Sequence, residues 1–140
     1  IESTAGLKIG LDGADQIDGG KQADLLIGLK GKDQLTGGRG ADVLIGGKGK
    51  DTFLFERVKD SPAAKGKSDQ LLDFGRKDKI NLSDIAKELQ FIGSYAFTGT
   101  AGDVRFQKGT LELDTNGDGD ADLALLMPGT TSLKPANLIL

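Results

Sequence analysis

The sequence predicts an all-β fold, in which short parallel strands coil into a two-sheet solenoid that is followed by an antiparallel β cap with one short helix. A nonapeptide pattern, with Gly, Asp and a large apolar residue at fixed positions, repeats five times without a gap. The 140 residues include 22 Gly, and most of the 21 acidic residues are Asp; both types favour turns over helices. The chain contains no Cys and no His, so its metal ligands are oxygen atoms, which suit hard cations.

The residue types that are missing also exclude several classes of protein. Without Cys and His there are no disulfides, no thiol or Ser–His catalysis, and no imidazole or Cys-ligated metal site. No other acid–base or nucleophile constellation is visible, so we expect a non-catalytic, monomeric module. No segment has the ~20 apolar residues of a membrane span, and we expect no nucleic-acid partner. The chain begins at Ile1 without Met or a cleavable signal, which predicts a fragment of a longer protein.

Residues 10–54 divide into the nonapeptides GLDGADQID, GGKQADLLI, GLKGKDQLT, GGRGADVLI and GGKGKDTFL. A Gly-rich loop of six residues can adopt positive φ angles and turn carbonyls inward, and a three-residue strand follows it. Position six is always Asp, and position eight is a large apolar residue that points into the core: Ile17, Leu26, Leu35, Leu44 and Phe53. Two nonapeptides make one coil, so each Asp faces the Asp two repeats later. Such rows of carboxylates repel unless a divalent cation lies between them.

The segments that flank the repeats are less regular. Residues 1–9 keep fragments of the pattern and predict a worn repeat or an end cap. Downstream, Asp60, Asp69 and Asp78 continue the steps of nine, but Pro62 stands where an apolar strand residue belongs, so regular coiling is expected to break there. Asp78 is expected to be structural, in a turn before a strand. The predicted roll therefore covers residues 1–81, with regular repeats at 10–54 and irregular closing turns at 55–81.

Residues 82–140 predict a β cap. Ser83 is suited to cap the short helix predicted over 84–89. Residues 104–113 predict a hairpin that turns at Lys108-Gly109, and residues 121–127 predict a further strand. One sheet of the roll has apolar residues on both sides of the core position, whereas the other has polar ones. We therefore expect residues 82–140 to cover the outer face of the apolar sheet. Its flanking residues are Leu25, Ile27, Val43 and Ile45.

The repeats GGRGADVLI and GGKGKDTFL match the G-G-x-G-x-D-x-U-x signature, and the chain resembles the RTX family of calcium-binding, right-handed parallel β-rolls. The segments DTFLF (51–55), DQLLDF (69–74) and DKINLS (78–83) are similar to the part of serralysin-type proteases that closes the roll. FIGS (91–94), FTGTAG (97–102) and the Asp-rich segment 114–122 are also similar to that C-terminal domain. The resemblance covers nearly the whole chain and implies several bound Ca²⁺ ions, but no protease, because the family's catalytic zinc helix lies outside this segment.

In that family each calcium lies between loops n and n+2 and binds carbonyl oxygens and one Asp from each loop. The first implied site uses Leu11, Gly13, Asp15, Gly28, Lys30 and Asp33. The second uses Leu29, Gly31, Asp33, Gly46, Lys48 and Asp51. On the opposite edge, the implied ligands are Gly20, Gln22, Asp24, Gly37, Arg39 and Asp42. Leu11, Leu29 and Gln22 stand where the family has Gly, and such residues resist a left-handed conformation.

The same rule extends past the regular repeats. One implied pair is Asp42 with Asp60, and its carbonyls come from Gly38, Gly40, Phe55 and Arg57. The other is Asp51 with Asp69, and its carbonyls come from Gly47, Gly49, Ala64 and Gly66.

The segment DTNGDGDAD (114–122) follows the first part of an EF-hand-like loop, although Leu125 stands where that loop has a bidentate Glu. We expect a calcium ion here rather than a plain acidic turn. Its side-chain ligands would be Asp114, Asn116, Asp118 and Asp122, and Asp120 would lend its carbonyl.

One loop edge carries the lysines Lys30, Lys32, Lys48 and Lys50. They form either a solvated face that offsets the Asp rows or a track for an anionic polysaccharide. The resemblance implies a calcium-folded C-terminal module that stabilises a secreted bacterial protein and directs its export through the type I secretion machinery. The final NLIL (137–140) is similar to the family's terminal motif, with Asn137 in place of an acid. The alternative is an alginate-binding module, like the R-modules of alginate epimerases, in a secreted epimerase-like enzyme.

Overall fold

The structure, a computed structural model, describes residues 6–140. Ten short strands form the roll: β1 (Gly6–Ile9), β2 (Gln16–Gly20), β3 (Asp24–Ile27), β4 (Lys30–Gly31), β5 (Gln34–Gly38), β6 (Val43–Ile45), β7 (Lys48–Gly49), β8 (Thr52–Leu54), β9 (Asp69–Leu71) and β10 (Lys79–Asn81). Five strands follow: β11 (Gln90–Phe91), β12 (Asp103–Gln107), β13 (Thr110–Asp114), β14 (Leu123–Leu126) and β15 (Leu138–Ile139). Two 3₁₀ turns span Val58–Asp60 and Pro135–Asn137.

The repeats form a two-sheet parallel β-roll. An eight-stranded sheet has the order β1-β3-β6-β9-β14-β13-β12-β11, a five-stranded sheet has the order β15-β10-β8-β5-β2, and β4 pairs with β7. Leu26 pairs with Leu44, and Leu35 pairs with Phe53, so one coil contains two nonapeptides. These four side chains have no exposed surface because position eight points inward from both sheets. The predicted fold class is confirmed.

The regular coil is interrupted after β8. Leu44 pairs with Leu71, and Phe53 with Ile80, so each pair spans three nonapeptides instead of two. The intervening segment leaves the roll through the 3₁₀ turn Val58–Asp60 and touches the cap at Pro62, which forms a bridge with Leu123. The break predicted at Pro62 is therefore present, and its effect is to loop out one repeat while the core positions stay filled.

The cap extends the larger sheet sideways. Strand β14 pairs with β9, and β13 and β12 follow in antiparallel order. The hairpin turns at Lys108 and Gly109, both with positive φ, as predicted. The prediction that residues 82–140 cover the apolar outer face is wrong, because β14 satisfies the free backbone edge of β9 instead of packing on the sheet face. Leu25, Ile27, Val43 and Ile45 are only half-buried, and Leu7 is 61% exposed.

The short helix predicted over 84–89 is also absent from the structure. Residues 83–85 form a turn, in which Oδ1 of Asn81 accepts hydrogen bonds from the backbone N–H and the hydroxyl of Ser83. The hydroxyl that was expected to cap a helix thus donates to the side chain of Asn81, two residues earlier. Within residues 6–140 no helix has the length and apolar character that crossing a membrane requires.

The first coil ends in a polar residue. Lys8 of β1 pairs with Leu26 and so occupies the core position of a further coil. Its ammonium donates to the carbonyls of Asp18 and Gly19 in β2, at 2.6 and 2.8 Å, and thereby bridges the two sheets over the end of the core. For residues 1–9 the sequence predicts a worn repeat or an end cap, and residues 6–9 have features of both: β1 keeps the 18-residue register of the coil, and Lys8 bridges its end. Residues 1–5 lie outside the described part.

Candidate metal centre

The loops stack along each edge of the roll with the predicted spacing. The backbone N–H of Asp15 donates to Oδ1 of Asp33 at 2.9 Å, and that of Asp33 donates to Oδ1 of Asp51 at 3.0 Å. On the opposite edge the N–H of Asp24 donates to Oδ1 of Asp42 at 2.8 Å. Each of these pairs is 18 residues apart, so the structure brings together the aspartates of loops n and n+2.

One carboxylate oxygen in several of these loops has no hydrogen-bond partner. The orphaned atoms are Oδ2 of Asp33, Asp42, Asp51 and Asp69, and all four residues are at most 2% exposed. An unsatisfied buried polar atom costs about 1–3 kcal/mol, and more when it is charged. A hard cation removes this cost, so the donor set fits Ca²⁺.

Each loop begins with Gly, which has no side chain, and this leaves space beside these oxygens. A Cβ placed on Gly28 would lie 2.5 Å from Oδ2 of Asp33 and 2.6 Å from the carbonyl oxygen of Gly46. A Cβ on Gly10 would lie 2.6 Å from Oδ2 of Asp15 and 2.9 Å from the carbonyl of Gly28. The Asp of one loop and the first carbonyl of loop n+2 therefore border the same space, as the implied ligand sets require.

The loop backbone follows the Gly pattern with instructive exceptions. Positive φ angles occur at every glycine in positions two and four of the loops: Gly13, Gly20, Gly31, Gly38, Gly40, Gly47 and Gly49. Leu29 adopts φ 77° although it is not Gly, whereas Leu11 and Gln22 stay outside the left-handed region. The N–H of Leu11 donates to Oδ2 of Asp15 at 2.8 Å. Oδ2 is therefore already hydrogen-bonded in Asp15, whereas it is free in Asp33. In this respect the first implied site differs from the second.

Burial raises the pKa of the orphaned carboxyls. Burial, with the carboxylates of Asp24 and Asp60 nearby, raises the pKa of Asp42 to about 7. Burial, with the carboxylates of Asp42 and Asp60 nearby, raises the pKa of Asp69 to about 8. The pKa values of Asp33 and Asp51 are also raised, chiefly by burial. Without a cation, the fold thus disfavours the charged form of these carboxyls.

Two of the predicted pairings are corrected by the register of β9 and β10. The N–H of Asp42 donates to Oδ1 of Asp69 at 2.8 Å, and that of Asp51 donates to Oδ1 of Asp78 at 3.0 Å, each 27 residues apart. The pairing of Asp51 with Asp69 is wrong because the looped-out repeat shifts both partners by nine residues. The loop with Ala64 and Gly66 accordingly lies beside that of Asp42, where Gly40 and Gly66 line one cavity.

Asp60 is close to the predicted partner Asp42 but is otherwise engaged. Its charge raises the pKa of Asp42 and of Asp69. Its Oδ2 accepts the N–H groups of Glu56 and Arg57 at 3.1 Å, and its Oδ1 lies 3.3 Å from the Arg57 guanidinium. Its carboxylate is thus satisfied by its own turn, whereas Asp69 occupies the stacked position.

In the Asp-rich loop, side-chain oxygens accept hydrogen bonds from the loop's own backbone. Both carboxylate oxygens of Asp114 accept backbone N–H groups, from Gly117 at 2.8 Å and from Gly119 at 2.9 Å. The side-chain oxygens of Asn116, Asp118 and Asp122 likewise accept N–H groups of the loop. In residues 6–140 no three carboxylates form a group with metal-site geometry. The calcium site predicted from Asp114, Asn116, Asp118, Asp120 and Asp122 stays a prediction, and its segment lies between β13 and β14.

The lysine edge divides into two parts. Lys30 and Lys48 pair in the β4–β7 ladder, and the ammonium of Lys30 lies 3.9 Å from the Asp12 carboxylate. Lys32 and Lys50 instead line a cavity of about 630 Å³ on the five-stranded sheet. Three further basic residues, which the sequence does not place beside that edge, line the same cavity: Arg76, Lys77 and Lys79.

Comparison with known proteins agrees with this architecture. A family described as "Peptidase M10 serralysin C terminal" matches residues 19–140. The solution structure of the AlgE6R3 subunit of the mannuronan C5-epimerase from Azotobacter vinelandii covers 99% of this chain and 80% of its own, with 30% identity and a TM-score of 0.68. The AlgE6R2 subunit of the same epimerase gives 99% and 92% coverage, 29% identity and a TM-score of 0.63. A search of curated protein sequences finds no match.

Proposed function

The chain belongs to the family of serralysin C-terminal domains, with RTX-type repeats in a β-roll, and from this premise we propose that it is a calcium-binding module that folds on Ca²⁺. The single observation that supports this most strongly is the set of orphaned Oδ2 atoms on both edges of the roll, at Asp33, Asp42, Asp51 and Asp69. Bound calcium would supply the positive charge that these buried carboxylates lack. The second regular site, between the loops of Asp33 and Asp51, has the full set of left-handed residues and would bind best.

Calcium-dependent folding supports a role in export and extracellular stability. Without calcium the carboxylate rows disfavour the fold, so the chain stays unfolded where calcium is scarce. In the folded state the C-terminus is a strand, because β15 pairs with β10 and Asn137 donates to the carbonyls of Arg76 and Asp78. The proposed module is thus the C-terminal stabilising and type I secretion domain of an extracellular bacterial protein, and any catalysis belongs to other parts of that protein.

The experiment is a comparison of circular dichroism in chelator, in millimolar Ca²⁺ and in millimolar Mg²⁺. We expect a largely disordered chain in chelator, a cooperative gain of β structure with Ca²⁺ and little response to Mg²⁺, which demands a tight octahedral geometry. A full β spectrum in chelator would contradict the proposal.

A second candidate function, binding of an anionic polysaccharide, is favoured by the cavity that Lys32 and Lys50 share with three further basic residues. The epimerase that contains the similar R subunits is named for mannuronan, a polyanion. We propose that a polyuronate lies along these exposed cations, and its binding would weaken with salt over a screening length of ~8–10 Å.

The two halves of the lysine edge provide a matched test on an alginate column at low salt. Replacing Lys32 and Lys50 with Gln should reduce retention of the calcium-loaded chain severalfold. Replacing Lys30 and Lys48 with Gln removes the same charge from the same loops and should have a smaller effect. Absence of wild-type retention, or equal effects of the two double variants, would exclude this cavity as the binding track.

A further inference from the structure

The first coils of the roll carry large apolar side chains in contact with solvent. Leu7 is 61% exposed, Ile9 53%, Leu11 75% and Leu29 40%. We call these four residues the apolar edge. Single exposed apolar residues are ordinary on protein surfaces, whereas a group of them on adjoining segments marks an interaction site.

The backbone brings the members of the apolar edge together. Strand β1, which ends at Ile9, is the free edge strand of the eight-stranded sheet. The two leucines that lie in loops are stacked, because the N–H of Gly10 donates to the carbonyl of Ile27 at 2.8 Å and that of Gly13 donates to the carbonyl of Lys30 at 2.7 Å. These two bonds flank the leucines and hold their backbones at the ~4.8 Å spacing of neighbouring strands.

Leu29 adopts a strained backbone conformation to occupy this surface. Its φ of 77° is unfavourable for any residue with a Cβ, and Gly in its place would carry no such strain. Packing does not explain the strain, because the side chain is 40% exposed. Backbone strain that persists without a packing reason is typical of functional sites. The exposed side chain itself is therefore what this position contributes.

The lysine edge adjoins the apolar edge. Lys30 follows Leu29 in the chain and pairs with Lys48 in the β4–β7 ladder, and both lysines are exposed. The Asp12 carboxylate lies 3.9 Å from the Lys30 ammonium, but the two side chains are 67% and 70% exposed, so solvent screens this ion pair. The surface beside the apolar edge therefore carries an excess of positive charge.

A lipid surface matches this combination better than a protein does. Protein interfaces take most of their energy from aromatic or Arg side chains that fill pockets, whereas the apolar edge contains only Leu and Ile. Two copies of this chain that met at their apolar edges would bring their lysines together, and like charges repel. A bilayer interface accepts aliphatic side chains and attracts lysines through its anionic headgroups.

We propose that the apolar edge binds the surface of a membrane that contains anionic lipids. The leucines enter the boundary between headgroups and acyl chains, and Lys30 and Lys48 contact the lipid phosphates. A single apolar anchor gives only marginal binding, so the affinity depends on both the aliphatic and the basic residues. This surface differs from the cavity proposed for a polyuronate, which lies on the five-stranded sheet and is lined by Lys32 and Lys50.

The test is flotation of the chain, in calcium, with vesicles of an equimolar mixture of phosphatidylcholine and phosphatidylglycerol. Replacing both Leu11 and Leu29 with Gly should lower the partition coefficient about tenfold or more, because less apolar surface is removed from water. The matched control is Tyr95→Ser, which changes a 78% exposed residue between β11 and β12, at the opposite end of the eight-stranded sheet. This control should bind as the wild type does.

The basic residues are tested separately. Replacing both Lys30 and Lys48 with Gln should weaken flotation severalfold and reduce its dependence on salt, because exposed charges are screened by ions. Vesicles of phosphatidylcholine alone should bind the wild type more weakly than the mixed vesicles do. Circular dichroism in calcium verifies that each variant is folded.

Two results would overturn the proposal outright: no flotation of the wild type, or equal flotation of the variant that lacks both leucines. A dimer of the wild type that this variant converts to a monomer, without binding of either to vesicles, would assign the apolar edge to a second copy instead. The single variant Leu29→Gly guards against a folding artefact, because it relieves strain and should still weaken flotation about threefold.

Discussion

At the scale of single residues, the second oxygen of each repeat Asp distinguishes the loops. In Asp33, Asp42 and Asp51, Oδ1 accepts the N–H of the preceding Asp on the same edge, which is a structural bond and does not require a metal. Oδ2 is orphaned in Asp33 but accepts the N–H of Leu11 in Asp15. Two residues that are equivalent in the repeat therefore differ in their capacity to hold a cation.

This difference predicts unequal effects of two matched substitutions. Asp33 borders two sites, so Asp33→Ala should lose about two calcium ions, whereas Asp15→Ala should lose about one at most. Calorimetric titration of both variants, in calcium sufficient to keep them folded, provides the count. Equal losses would contradict the pairing of loops n and n+2.

At the scale of elements, the loops need left-handed residues at two positions, and Leu29 meets this need at a cost. Its φ of 77° is unfavourable for a side chain with Cβ, by roughly 1–2 kcal/mol. Leu29 is partly exposed, so little packing is lost when its side chain is removed. Leu11, at the same position of an earlier loop, is not left-handed and carries no such strain.

Leu29→Gly should therefore stabilise the calcium-loaded chain by up to about 1 kcal/mol, because relief of strain exceeds the added entropy of the unfolded chain. Leu11→Gly should be neutral or destabilising, since only the entropy changes. Urea denaturation in saturating calcium measures both. The explanation fails if Leu29→Gly destabilises the chain as much as Leu11→Gly does.

At the scale of the whole molecule, the buried aspartates link folding to protons as well as to calcium. The folded chain raises the pKa of Asp42 to about 7 and of Asp69 to about 8, above the value near 4 of an unfolded Asp. The folded state therefore binds more protons between about pH 4 and pH 8, and its stability without calcium falls as the pH rises through that range.

In chelator, the residual β-sheet signal in circular dichroism should accordingly be larger at pH 5 than at pH 8.5. In saturating calcium this dependence should shrink or reverse, because protons compete with the ion for the same oxygens. Replacing Asp42 and Asp69 with Asn should flatten the calcium-free profile. A β-sheet signal in chelator that rises with pH would show that these carboxyls are not protonated in the fold.

The periodic part of the molecule was predictable from the sequence because its causes are local. Gly at position one, Asp at six and an apolar residue at eight specify a loop, an acidic edge and a core strand within nine residues. The stacking of Asp15 on Asp33 follows from repetition alone, and the core from Leu26 to Phe53 lies where the pattern predicts.

The sequence by itself determined the roll, its core and the rule that pairs its loops; only the tertiary structure decided which loops meet where the repeat is broken. By the nine-residue period alone, Asp60, Asp69 and Asp78 are equally good candidates to stack on the regular loops. Asp69 and Asp78 are the ones that do so, because β9 pairs with β6 and β10 pairs with β8. Any strand with free backbone groups can complete an edge, so β14 extends the sheet and leaves its apolar face half-exposed. Likewise, the sequence shows that Asp114 offers acceptor oxygens, and only the folded backbone places the N–H groups of Gly117 and Gly119 against them.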